Sequence, residues 1–286
     1  GIWLMVLAMF AFTLSDALIK AMSANINFGQ ILMLMGFGGF LFTTALCMHQ
    51  GTSPFSKQML HWAVIIRTLA MAVSSGFMFK ALATSDLSLV SSVLQATPLL
   101  IAALAALILK EVVGWRRWIA IIAGFIGVVL IINPFQASFD WQVLFSVGAL
   151  LFLTAQDFVT RFVDKSITAP QLSALGFLGI CPLGAGILFV SGDYVVLSGF
   201  DWAKTILIVL FAAVGAMAIA AAMRIGEVSA VAPFRYSRIL FAVILGYALF
   251  DEWPTPIMWI GIILVFGSGI FLLMRERTLQ APNKSA

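Results

Sequence analysis

Residues 2–20 read IWLMVLAMFAFTLSDALIK, and residues 143–161 read VLFSVGALLFLTAQDFVTR. Both are apolar runs that close on the same polar pattern. Thr13, Asp16 and Lys20 lie over Thr154, Asp157 and Arg161, 141 residues further on. The register holds far beyond this stretch. Gln30 falls on Gln171, Gly38 on Gly179, and Asp86-Leu-Ser88-Leu-Val90 on Glu227-Val-Ser229-Ala-Val231. Glu111 meets Glu252, and Trp118 meets Trp259. Apolar coincidences carry little information in such a chain, whereas polar residues matching in register from end to end point to an internal duplication.

Each run is the length that crosses a bilayer, about 20 residues. Hydropathy predicts ten such spans, at 2–20, 26–48, 62–83, 88–109, 115–132, 141–163, 172–190, 202–223, 228–250 and 257–274. Hydrophobic residues make up 62% of the chain and charged ones 10%, well under the roughly quarter share of a soluble domain. The fold class is therefore an all-α membrane protein. The eight Trp residues fall at or near predicted helix ends, as an interfacial belt does. The first run is followed by no small-residue cleavage pattern and is read as a span rather than a signal peptide. Cys47 and Cys181 both sit in apolar runs, which argues against a structural disulfide or metal cluster.

With a cytoplasmic N-terminus, the inner loops and tail hold Lys57, Lys110, Arg116, Arg117, Arg161, Lys165, Arg224, Arg275, Arg277 and Lys284. The outer side holds Lys20, Lys80 and Lys204. This bias places both termini in the cytoplasm. Five spans per repeat is an odd number, so the second repeat enters the membrane from the opposite side. The expected architecture is ten helices as two inverted five-helix repeats, 1–133 and 134–274, followed by a cytoplasmic tail at 275–286. Inverted repeats are a signature of secondary transporters with a midplane site exposed alternately to each side.

Ionisable groups at membrane depth are costly and usually functional. Asp16 and Lys20 in the first span, and Asp157 and Arg161 in the sixth, are candidates for gating or coupling. The other reading is that each i,i+4 pair only neutralises itself. Arg67 in the third span and Arg235 in the ninth join the gating set, because Asp157 falls at a depth suited to an intramembrane arginine. Candidate substrate contacts are Ser74, Ser75, Phe77 and Phe79 of the third span, Ser91 and Gln95 of the fourth, and Tyr236 and Arg238 of the ninth. Arg238 would meet a carboxylate, the hydroxyls and amide would supply hydrogen bonds, and the aromatics apolar contact. Each serine could instead bond its own helix backbone. Pro98 is expected to bend the fourth span. The glycines of the second, fifth, seventh and tenth spans read as helix-packing positions.

Other classes find no support. There is no phosphate loop G-x-x-x-x-G-K-[ST] and no H-E-x-x-H zinc motif. No basic, aromatic-interleaved run suggests nucleic-acid binding. Asp16 and Asp157 invite comparison with an intramembrane aspartyl protease, but an inverted repeat puts them on opposite sides of the membrane.

Two motif copies carry a family resemblance: Lys110-Glu111 with Trp118 and a Gly-rich fifth span, and Asp251-Glu252 with Trp259 and Gly261. With ten spans and short loops, the whole chain resembles the drug/metabolite transporter superfamily, in its EamA-like ten-span form. Within it the chain is most similar to bacterial exporters of aromatic and neutral amino acids. The resemblance implies an inner-membrane carrier, not an enzyme, working by alternating access. Its partners would be a small-molecule substrate and the lipid bilayer, with no cofactor, no metal and no nucleic acid, and with the chain a monomer or weak homodimer. The alternatives are a multidrug or cationic-metabolite exporter of the same fold, or a non-transporting membrane scaffold.

Overall fold

A computed structural model describes residues 1–55, 57–111, 114–136, 139–164, 166–225 and 231–280. Helices α1 (Ile2–Ser23), α2 (Phe28–His49) and α3 (Trp62–Thr84) are the first three spans. The fourth span is two helices, α4 (Leu87–Leu94) and α5 (Thr97–Ile108), and the fifth is α6 (Trp115–Ile132). The second half contains α7 (Leu144–Thr160), α8 (Ala169–Ser191) and α9 (Gly199–Ile225). A 3₁₀ turn, Ala232–Tyr236, precedes α10 (Ser237–Phe250), and α11 (Pro256–Gln280) closes the chain. Among the described residues, ten helical spans are long and apolar enough to cross a membrane. Large apolar side chains such as Phe37, Leu69, Ile122, Leu151, Phe189 and Ile263 are exposed, the ordinary state of a surface solvated by lipid.

The hydropathy boundaries shift where side chains cap the backbone. α1 runs on to Ser23, whose hydroxyl donates to Ile19 O at 2.8 Å. α2 starts at Phe28 because Asn27 Oδ1 accepts the Gly29 N–H at 2.8 Å. α8 begins at Ala169 and not 172: Thr168 and Gln171 form a capping box, and Pro170 suits the first turn. The tenth span ends at Met274 as expected, and α11 continues beyond it to Gln280, so the first six residues of the expected tail are helical. The repeat matches Glu227 and Ser229, and the bases Lys165 and Lys284, lie outside the described residues.

The chain divides into two compact units. One comprises Leu14–Ser85 and Gln142–Ala213. In it α2 lies along α8, and α3 packs on α7 and α8. Glycine allows the α2–α8 approach: a Cβ on Gly36 would stand 2.7 Å from Cys181 N. Gln30 holds the strand-like segment after α8, donating to Val195 O at 2.7 Å and accepting from Val195 N at 3.1 Å. Gln171 holds the segment after α2, donating to Ser53 O at 2.6 Å.

The other unit comprises Gly1–Thr13, Asp86–Trp141 and Val214–Ala286. Here α6 and α11 meet backbone to backbone, and a Cβ on Gly127 would stand 2.8 Å from Gly261 O. Met5, Ala8 and Met9 of α1 pack with Ala218 and Ala222 of α9 and with Val231. α10 packs on α4, and Glu252 Oε2 accepts the Leu87 N–H at 2.9 Å. Lys110 and Asp251 both adopt the left-handed backbone conformation, with φ of 54° and 58°. The following residues make the same long-looped bond, Glu111 N to Ala105 O at 3.3 Å and Glu252 N to Gly246 O at 3.1 Å.

Candidate functional site

The predicted site residues fall into two groups, one in each unit. Asp16, Lys20, Arg67, Ser74, Ser75, Phe77, Phe79, Asp157 and Arg161 belong to the unit built on α3 and α7. Asp16 is buried, and the half-buried Lys20 donates to Ser85 O, just past the C-terminus of α3. Near the start of α3, Arg67 donates from Nε to Thr160 Oγ1 at 3.1 Å and from a terminal nitrogen to Leu172 O at 3.2 Å. The Asp157 carboxylate acts on this guanidinium electrostatically. From Arg67 to Ser85 is about 27 Å at 1.5 Å per residue. Asp16, one turn before Lys20, and Asp157, beside Arg67, therefore belong to opposite ends of α3. Two carboxylates so placed cannot share a proton, which removes the aspartyl-protease reading.

Two other members of this group, Ser74 and Phe77, contact the α7 side. Ser74 donates to Ala149 O at 3.0 Å. The Phe77 ring stacks on Phe152, with centroids 5.7 Å apart, and lies 6.1 Å from Phe145. Gly148 makes room for it. Phe79 is buried and Ser75 half-buried on the same helix. Arg161 is exposed, its guanidinium 5.9 Å from the Phe158 ring centroid.

The second group converges. In the fourth span the helix is interrupted at Gln95–Ala96, just before Thr97 and Pro98: Pro98 has no N–H to give Leu94 O, and the Thr97 hydroxyl donates to that carbonyl at 2.6 Å instead. In the ninth span the turn carrying Pro233 is 3₁₀ up to Tyr236. The two irregular segments are joined where Gln95 Nε2 donates to Arg235 O at 2.7 Å. Ser88 and Ser91 lie three apart on α4, on one face, and are fully buried. Their hydroxyls, and that of the buried Tyr236, have no hydrogen-bond partner among the described residues. Ser92 differs: it donates to Ser88 O at 2.6 Å within its own helix. The Tyr236 ring meets Phe266 edge-on at 5.7 Å, and Gly269 leaves room for its hydroxyl. The Arg238 guanidinium lies 5.8 Å from the Phe12 ring centroid, while the Arg235 side chain is exposed.

A buried hydroxyl normally has a partner, and leaving one unmade costs about 1–3 kcal/mol. Three such hydroxyls lie on the two interrupted membrane helices, with Arg238 two residues beyond Tyr236, and they are the candidate contacts for a ligand with hydrogen-bonding and anionic groups. Ser88 was not among the sequence candidates, although its spacing of three and seven residues from Ser91 and Gln95 puts it on their helix face. Glu252 was legible only as the repeat mate of Glu111, with no hint that it would bond Leu87.

Residues 1–133 and 140–275 each match the model of the EamA-like transporter family. Among curated proteins the chain is similar to a riboflavin transporter of Rhizobium johnstonii, 25% identical over 96% of this chain and 91% of that one. It is also similar to an S-adenosylmethionine uptake transporter of Rickettsia prowazekii, at 21% over 97% and 93%. A pseudopaline exporter of Pseudomonas aeruginosa matches at 26% over 93% of each chain. A crystal structure 18% identical in sequence superposes with a TM-score of 0.65, covering 95% of this chain and 98% of its own, which shows a shared fold.

Proposed function

Because this chain belongs to the EamA-like transporter family, a family of carriers and not of enzymes, we propose that it moves a polar metabolite across the bacterial inner membrane by alternating access. The observation that carries this is the set of buried hydroxyls of Ser88, Ser91 and Tyr236, on the interrupted fourth and ninth spans, that have no partner among the described residues. Discontinuous helices at a substrate site are the usual device of such carriers. Gln95 and Arg238 complete the site.

The alternation rests on two inverted five-span repeats, 1–133 and 134–274, with both termini cytoplasmic. The paired family matches support it, as do features 141 residues apart: the N-caps Asn27 and Thr168 and the left-handed Lys110 and Asp251. Gln30 and Gln171 support it too, each tying down the segment that follows the other's helix.

The resemblance to exporters of aromatic and neutral amino acids is the weaker account of substrate. The named cargoes of the relatives, riboflavin, S-adenosylmethionine and pseudopaline, are not free aromatic or neutral amino acids. They favour the metabolite-carrier alternative. Purified protein in liposomes should carry riboflavin- or nucleoside-sized metabolites faster than phenylalanine. Tyr236→Phe should raise KM roughly 2- to 12-fold, the equivalent of one neutral hydrogen bond of about 0.5–1.5 kcal/mol. Robust phenylalanine flux with no metabolite flux overturns the substrate reading. An unchanged KM in Tyr236→Phe overturns the site.

A further inference from the structure

Between α6 and α11, lined by none of Ser88, Ser91, Gln95, Tyr236 or Arg238, runs a groove of 390 Å³. Its walls are almost entirely apolar, from Ile119 and Ala123 on α6 to Phe271 on α11, and its mouth is formed by Trp115 and Arg116. The Ser268 hydroxyl on its wall is spent on Val265 O at 3.1 Å, so the groove offers nothing for water to bond. Gly267 leaves it open: a Cβ there would meet nothing within 4 Å. From Arg116 to Ala123 the groove follows α6 for about 10 Å at 1.5 Å per residue, most of the ~15 Å depth of one leaflet's hydrocarbon.

The geometry points to a bound anionic phospholipid, with one acyl chain in this groove and its headgroup on Arg116 and Arg117. Charge complementarity selects the headgroup. The Arg116 guanidinium is exposed at the mouth, 5.3 Å from the Trp115 ring centroid. Next to it, the Arg117 Nε is buried with no acceptor among the described residues. On the Lys/Arg-rich side of the membrane, two adjacent arginines above an interhelical apolar groove are suited to an anionic lipid. The bilayer supplies the ligand at high local concentration, and the Trp115 indole marks the interfacial level at which a headgroup sits.

Native mass spectrometry of the detergent-solubilised protein, titrated with phosphatidylglycerol or phosphatidylcholine, tests this. Phosphatidylglycerol should fill one site ahead of phosphatidylcholine. Arg116→Gln should weaken phosphatidylglycerol about fivefold and leave phosphatidylcholine alone, the fold-change that one basic residue near an anionic surface is worth. Gly267→Leu, whose Cβ has open space and whose side chain would occupy the groove, should lower occupancy by both lipids while thermal unfolding in lipid-free detergent stays near the wild-type value. Equal binding of the two lipids to wild type, or wild-type phosphatidylglycerol binding by Gly267→Leu, overturns the proposal. So does a Gly267→Leu variant that changes a dimer to a monomer with lipid occupancy unaltered, since that assigns the groove to a second copy of the chain.

Discussion

Replacing Glu252 with alanine should loosen the start of the fourth span. Its Oε2 takes the Leu87 N–H at 2.9 Å, the first N–H of α4. The residue at the cap position, Asp86, makes no side-chain cap bond of its own. A hydrogen bond to a charged group is worth about 1.5–3 kcal/mol. A carboxylate at a helix N-terminus adds about 0.3–1 kcal/mol against the helix dipole. Glu252 is half-buried, and solvent screens part of this, so the lower end, about 2 kcal/mol, applies to Glu252→Ala. Glu252→Gln keeps an acceptor oxygen and loses the charge, and should cost about half as much, near 1 kcal/mol.

The assay is thermal unfolding of the purified protein in one fixed detergent. At about 2–4 °C per kcal/mol for a chain of this class, alanine should lower the transition by roughly 4–8 °C and glutamine by roughly 2–4 °C. Asp251→Asn is the control, because Asp251 holds a left-handed conformation that asparagine also tolerates, and its melting should stay near wild type. A wild-type transition for Glu252→Ala would show that the Leu87 bond contributes nothing. A glutamine variant as unstable as alanine would refute the electrostatic part of the reasoning.

Arg67→Met removes the bonds to Thr160 Oγ1 and Leu172 O, so a loss of about 1.5–3 kcal/mol and a lower folded yield should follow. Arg67→Lys should recover part of that yield; equal yields for wild type and Arg67→Met would show that those bonds contribute nothing. Gln30→Leu frees both backbone groups of Val195, at about 0.5–1.5 kcal/mol per bond, and should speed hydrogen exchange at that amide roughly tenfold. An unchanged exchange rate at Val195 in Gln30→Leu would show that the segment is held by other contacts.

The spans were legible because lipid leaves the backbone one economical solution, a helix of about 20 apolar residues. Their ends were less so, because hydropathy is blind to caps. Thr168-x-x-Gln171 is a capping box in plain sight, yet an apolar count begins three residues late, at Leu172. Pro98 marks where the helix of the fourth span is interrupted, and the interruption falls in the residues just before the proline. The site was harder. Ser74 and Ser91 look alike in sequence, polar residues on apolar helices, but Ser74 meets Ala149 O and Ser91 meets no partner among the described residues. Only a tertiary neighbour separates the two outcomes, and no periodicity encodes it. Phe77 was equally opaque: an aromatic facing a cavity and one filling the space above Gly148 have the same spacing.

The proposed repeat itself sorts scaffold from site. Where residues 141 apart are alike, they do the same structural work in both halves. Gln30 and Gln171 each reach across to a backbone, and Thr13 and Thr154 each donate to the carbonyl four residues back, at 2.8 and 2.7 Å. Even the exception is physical: Val195 offers Gln30 an N–H, while its mate Pro54 has none, so Gln171 Oε1 turns to Thr168 N at 2.9 Å. At the interrupted helices the mates diverge in chemistry. Gln95 stands over Tyr236, Leu94 over Arg235 and Thr97 over Arg238. A strictly symmetric carrier would present the same groups from both spans. Here the positive charge and the phenol come from the ninth span, and the fourth supplies hydroxyls and the amide that ties the two breaks together. Substrate chemistry should therefore follow substitutions in the ninth span. Substitutions of Gln95 should act first through the Arg235 O bond, on how the two broken helices are held together.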